Sequence, residues 1–69
     1  MEDQKFEFLT AVIDAYKQDD QRLNDWERGF MKDMGVRFEK YGKETYVSDK
    51  QWGAIKRVAE AYDLETEQF

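Results

Sequence analysis

Few residues in this chain can do acid–base or metal chemistry. Its 69 residues include no His and no Cys. That removes the commonest general base, the thiol nucleophile and the usual transition-metal ligands. Carboxylates, Lys and Tyr remain. The adjacent pair Asp19–Asp20 could offer oxygens to Mg2+. The surrounding run KQDDQR has neither the turn Gly nor the closing Glu of an EF-hand loop, so it reads as a solvated loop. There is no Gly-rich phosphate loop and no nucleophile elbow. These residues predict a protein that is not an enzyme and needs no metal, cofactor or small-molecule substrate.

Charge patterning says more. Residues 37–57 carry Arg37, Lys40, Lys43, Lys50, Lys56 and Arg57 against Glu39, Glu44 and Asp49, a net of +3. Residues 1–36 and residues 58–69 each carry a net of −4, which leaves the chain at −5. A basic middle between acidic ends could face phosphates or an acidic protein. Those six cations are the candidate contact residues for nucleic acid or a protein partner. The competing reading is an ordinary solvated face, since Arg37 and Lys40 also suit the negative end of a helix. A sequence pI near 4.6 is far from that of a free-standing DNA binder.

The elements that would position these residues are helices. Phe6, Leu9, Val12, Ile13 and Tyr16 step by three or four and predict a first helix over about 3–17, with Asp3 as N-cap and Phe8 off the stripe. Asn24 and Glu27 have capping-box spacing and open a second helix over 25–41. Its expected inner face is Trp26, Phe30, Met34, Phe38 and Tyr41, with Met31 on the shoulder and Gly42 as the stop. Gly29, inside that helix, is read as a place of close packing. Ser48 and Gln51 form a second capping box, and Val47 with Trp52 a hydrophobic staple. They open a third helix over about 49–63, with Trp52, Ile55, Val58, Ala59 and Tyr62 inward. The acidic tail 64–69 follows, where Leu64 and Phe69 could dock. No segment has a strand partner. Leu, Ile, Val and Phe total only fourteen, so Trp26 and Trp52 are needed as core rather than as stacking anchors.

The expected fold is therefore all-α: one domain over 1–69, a small three-helix antiparallel bundle. A chain this short buries only about 60% of its unfolded surface. With disulfides excluded, that favours a homodimer or a partner. No apolar run reaches membrane-span length and no signal-like N-terminus appears, which predicts a cytoplasmic protein with no membrane contact.

Two stretches carry a resemblance. LNDWERGF has the pattern Leu-[Ser/Asn/Thr]-x-Trp-Glu-x-x-Phe, and VSDKQ has the pattern [Leu/Val]-Ser-x-Lys-Gln before an aliphatic helix. Together they resemble the small accessory module associated with UvsW-type phage recombination helicases, and short phage and proteobacterial proteins like it. The matching positions are Leu23, Asn24, Trp26, Glu27, Phe30, Val47, Ser48, Lys50 and Gln51, within residues 23–58. The resemblance implies a small helical bundle similar to nucleic-acid-binding modules of RecQ-type helicases, able to dimerise. No motor domain is present, so it implies binding without helicase activity. Two functions follow as expectations. The first is a non-enzymatic phage or mobile-element binding module that serves DNA-processing machinery through protein or nucleic-acid contacts. The second, drawn from the net charge of −5, the small size and the acidic ends rather than from the resemblance, is an acidic protein-binding inhibitor of a host enzyme, of the DNA-mimic type.

Overall fold

The two capping boxes predicted from sequence start two of the three helices. In the computed structural model, which describes residues 1–64, Asn24 Oδ1 accepts from the Glu27 N–H at 2.8 Å and Glu27 Oε1 accepts from the Asn24 N–H at 3.1 Å. This reciprocal pair satisfies two orphan donors and begins α2, Asp25–Tyr41. Ser48 and Gln51 repeat it at the start of α3, Asp49–Ala61. The first helix, α1, spans Asp3–Gln18. Single 3-10 turns at Asp20–Arg22 and Gly42–Glu44 connect the three.

Asp3 is not the cap of α1. Glu2 holds that position and makes no side-chain cap bond. The Asp3 carboxylate is instead bonded to the Lys43 ammonium. That hydrogen bond and the charge beside it hold the Asp3 carboxyl below the usual range. Gly42 does stop α2, at φ 55°, a conformation that costs glycine least. The third helix stops at Ala61, two residues earlier than expected. Asp63 takes the left-handed conformation at φ 57°. Its N–H donates to Glu60 and the Leu64 N–H reaches back to Ala59. This is a Schellman close, in which the loose carbonyls of the last turn are satisfied and Leu64 docks on the core. The rest of the expected acidic tail, with Phe69, lies outside the described residues.

The result is an all-α bundle of three helices with no strand among the described residues. Lys5 of α1 lies over Trp52 at the start of α3. Tyr62, after α3, bonds to the Asp19 carbonyl after α1. The two helices therefore run in the same direction. The second returns against both, since Lys43, just past its end, reaches Asp3 at the start of α1, and Arg22, just before its start, reaches the Ala61 carbonyl at the end of α3. Its return is oblique, with Gly35 against Ile13 and Glu39 paired to Lys17.

The core differs from the expected stripes on two helices. On α1, Phe8 is buried with Leu9, Val12 and Ile13, while Phe6 and Tyr16 sit at the margin. On α2 the buried residues are Met31, Met34 and Gly35. Trp26 is 64% exposed and Tyr41 50% exposed. The cause is helical drift. Steps of four advance about 40° per step, so a Trp26–Phe30–Met34–Phe38 row winds away from the core. The third helix buries Trp52, Ile55, Val58 and Ala59 as expected. Leu9, Val12, Met31, Met34, Ile55 and Val58 are fully enclosed, and each contributes about 1.5–3 kcal/mol relative to exposure.

Candidate binding groove

The capping box at Asn24 fixes the first turn of α2 and sets Trp26 one residue past its start, on the outside. The indole lies flat on Phe30, with ring centroids 5.4 Å apart and planes 5° from parallel. Phe30 is half-buried and packed on the core, so the exposed indole rests on a fixed support.

Across from it, α3 presents Lys50, Gly53, Ala54 and Arg57, which are spaced to share one face. The start of that face is fixed by the Ser48–Gln51 box. Together with Asn24, Trp26 and Glu27, these residues line a recess of about 380 Å3. Its floor at Gly53 and Ala54 is backbone and methyl, its wall is indole, and its rim carries two cations. Lys50 and Arg57 stand two turns apart on α3, about 10.5 Å along the axis. Neither makes an ion pair or hydrogen bond among the described residues. The Glu27 carboxylate is engaged by its own capping bond.

Four other cations are committed elsewhere. Lys17 pairs with Glu39 at 3.0 Å, Arg22 with Asp19 at 3.4 Å, Arg28 with Asp25 and Lys43 with Asp3. Asp19 also accepts from the Gln21 N–H at 3.3 Å, so this half of the Asp19–Asp20 pair is used to build the turn.

The six predicted contact residues do not form one patch. Lys50 and Arg57 share the groove. Lys56 lies on the adjoining flank of α3, where it lines a second recess with Lys5, Asp49, Trp52 and Gly53. Arg37 and Lys40 stand 11 and 14 residues beyond Trp26, roughly 16 and 21 Å along α2. Lys40 lies over the Tyr41 ring at 5.4 Å, and Lys43 over Phe6 at 5.5 Å. Lys5 was not a sequence candidate, because nothing in its local pattern marks its approach to Trp52. Sequence spacing places Trp26 in the core, and the structure places it outside, 64% exposed. Its drift away from Met31 and Met34 on a helical wheel was the signal available.

Chemically, the groove pairs a fixed aromatic plate with two uncommitted cations over a small apolar floor. That combination suits an anionic chain carrying flat groups that can stack. Compared with protein-family models, curated proteins and solved structures, the chain matches none.

Proposed function

We propose that this protein is a non-enzymatic helical binding module that serves DNA-processing machinery and contacts nucleic acid through the α2–α3 groove. One observation carries the reading: Trp26 is exposed, laid on Phe30, and shares a recess with Lys50 and Arg57, neither of which is ion-paired among the described residues. Folding leaves these three residues unused. A stacking platform beside backbone-tracking cations is how proteins hold nucleic acid without reading its sequence. The link to DNA processing comes from the resemblance at Leu23–Phe30 and Val47–Gln51, which also includes Trp26 and Lys50.

The alternative, an acidic inhibitor that mimics DNA, draws less support. Such a protein needs a row of free carboxylates. Asp3, Asp19, Asp25 and Glu39 are each held by a cation, and the exposed Glu7, Asp14, Asp33, Asp49 and Glu60 are divided among the three helices rather than set in one row.

The test is a titration of the protein with a labelled oligonucleotide. The two groove cations contribute about −1.4 to the slope of log K against log salt for a single strand. Lys50→Ala and Arg57→Ala should each weaken binding and remove about half of that contribution. No binding at about 50 mM salt would remove the nucleic-acid reading.

A further inference from the structure

The groove does not end at α3. Gly53 lines both the recess that holds Trp26, Lys50 and Arg57 and the second recess, which holds Lys5, Trp52 and Lys56. It is the one residue common to the two. A Cβ built on Gly53 meets no atom within 4 Å, so packing does not require glycine there. Its φ is ordinary, so backbone conformation does not require it either. Glycine in the middle of a helix is among the least favourable residues. What it provides is a low crossing, because the helix surface there is bare backbone between two cation-rimmed hollows.

We infer that Gly53 is a saddle over which a single nucleic-acid strand crosses α3, with one base on Trp26 and its phosphates passing from Lys50 and Arg57 to Lys56 and Lys5. This rests on the reading of the groove as a nucleic-acid site and adds the form of the ligand. The two recesses flank one helix, about 10–12 Å across with side chains. A path that bends over so narrow a ridge excludes a duplex, which stays stiff over roughly 150 base pairs. A single strand turns freely at each nucleotide. The second recess, about 330 Å3, also contains Asp49. The crossing therefore suits a backbone that touches cations at intervals rather than a continuous basic strip. The site takes about four nucleotides, the low end for single-strand modules.

The experiment measures binding of thymidine di- and tetranucleotides and of a short duplex, by fluorescence anisotropy at low salt. It uses wild type, Gly53→Leu and Lys56→Ala. Gly53→Leu places a side chain on the saddle without touching the core, and its folding is checked by thermal melting. The tetranucleotide should bind wild type about tenfold tighter than the dinucleotide, through the added stacking and phosphate contacts. The duplex should bind more weakly than the tetranucleotide. Lys56→Ala should remove most of the tetranucleotide's advantage and leave the dinucleotide unchanged, while Gly53→Leu, whose side chain also enters the first recess, should remove the advantage whatever it does to the dinucleotide. A tetranucleotide affinity that survives Gly53→Leu overturns the saddle while leaving the groove intact, as does a duplex that binds equally well. An oligoglutamate peptide that binds as tightly as the tetranucleotide overturns the assignment to nucleic acid. No binding by any nucleic acid overturns the functional reading itself.

Discussion

The Tyr62 hydroxyl donates its hydrogen bond to the carbonyl of Asp19, tying the end of α3 to the turn between α1 and α2, 43 residues back. The Arg22 guanidinium lies over the same ring at 5.8 Å and donates to the Ala61 carbonyl at 3.2 Å. One small cluster therefore closes this end of the bundle. Burial pushes the Tyr62 hydroxyl above its ordinary value of 10.0, and the negative charges of Asp19 and Asp20 push it further. The folded state thus favours the neutral phenol. Its contribution is complete below the unfolded value and is lost as pH rises through the higher folded one. Tyr62→Phe should cost about 1 kcal/mol at neutral pH by loss of the hydrogen bond. Urea unfolding from pH 8 to 11 should show wild type falling toward the Phe variant at the alkaline end. Coincident curves would show that the bond contributes nothing, and parallel offset ones that ionisation of the phenol is not linked to folding.

The Schellman close at Asp63 makes a second prediction. A non-glycine residue in the left-handed region is strained, and Asp bears less of that strain than most. Asp63→Gly should stabilise the fold by about 0.5–1 kcal/mol, with helix content unchanged. Equilibrium unfolding in urea measures it, and a loss of stability would mean that the Asp63 side chain contributes more than its backbone costs.

The two tryptophans should respond very differently to truncation. Trp52 is 8% exposed and part of the core, so Trp52→Ala should cost about 3–5 kcal/mol and leave a domain this small largely unfolded. Trp26 makes a stacked contact with Phe30 and little else, so Trp26→Ala should cost about 1 kcal/mol or less. Circular dichroism during thermal melting separates the two. Equal losses would put Trp26 in the core after all.

Gly29 was expected to mark close packing, and it does not. It is exposed, and nothing stands within 4 Å of a Cβ placed there. Gly29→Ala should therefore stabilise α2 by about 0.8–1 kcal/mol and raise the melting temperature by roughly 4–8 °C. An unchanged or lower midpoint in a thermal scan would require a contact at Gly29 beyond those of the folded chain.

What could be read from the sequence was decided by the range of the interactions involved. The boxes at Asn24–Glu27 and Ser48–Gln51 are closed within three residues, so their spacing alone carried them. The inner face of α3 was equally legible, since Ile55, Val58 and Ala59 lie three, six and seven residues beyond Trp52, on one helix face. The face of α2 was not. Its large aromatics advance by four, and the real packing face runs through Met31, Met34 and Gly35, where the residues are smaller. Gly35 had no evident role until Ile13 was found 4.0 Å from its Cβ position, a contact between residues 22 apart. The loss of Asp3 as a cap has the same origin, because Lys43 lies 40 residues away. Of the six candidate cations, Lys50 and Arg57 gather at the groove because they share a helix face. Which of the others stayed uncommitted depended on tertiary partners that sequence spacing does not contain.

The sulfur chemistry of the molecule follows from its core. The chain has no Cys, so its oxidisable sulfurs are thioethers. Met31 and Met34 are both at 0% exposure. Peroxide can reach them only when the bundle opens, and a sulfoxide, being polar, does not repack where the thioether sat. Each opening under oxidant thus carries some chance of becoming permanent. The rate at which this protein accumulates methionine sulfoxide at those two positions is a chemical clock for how often its helices part.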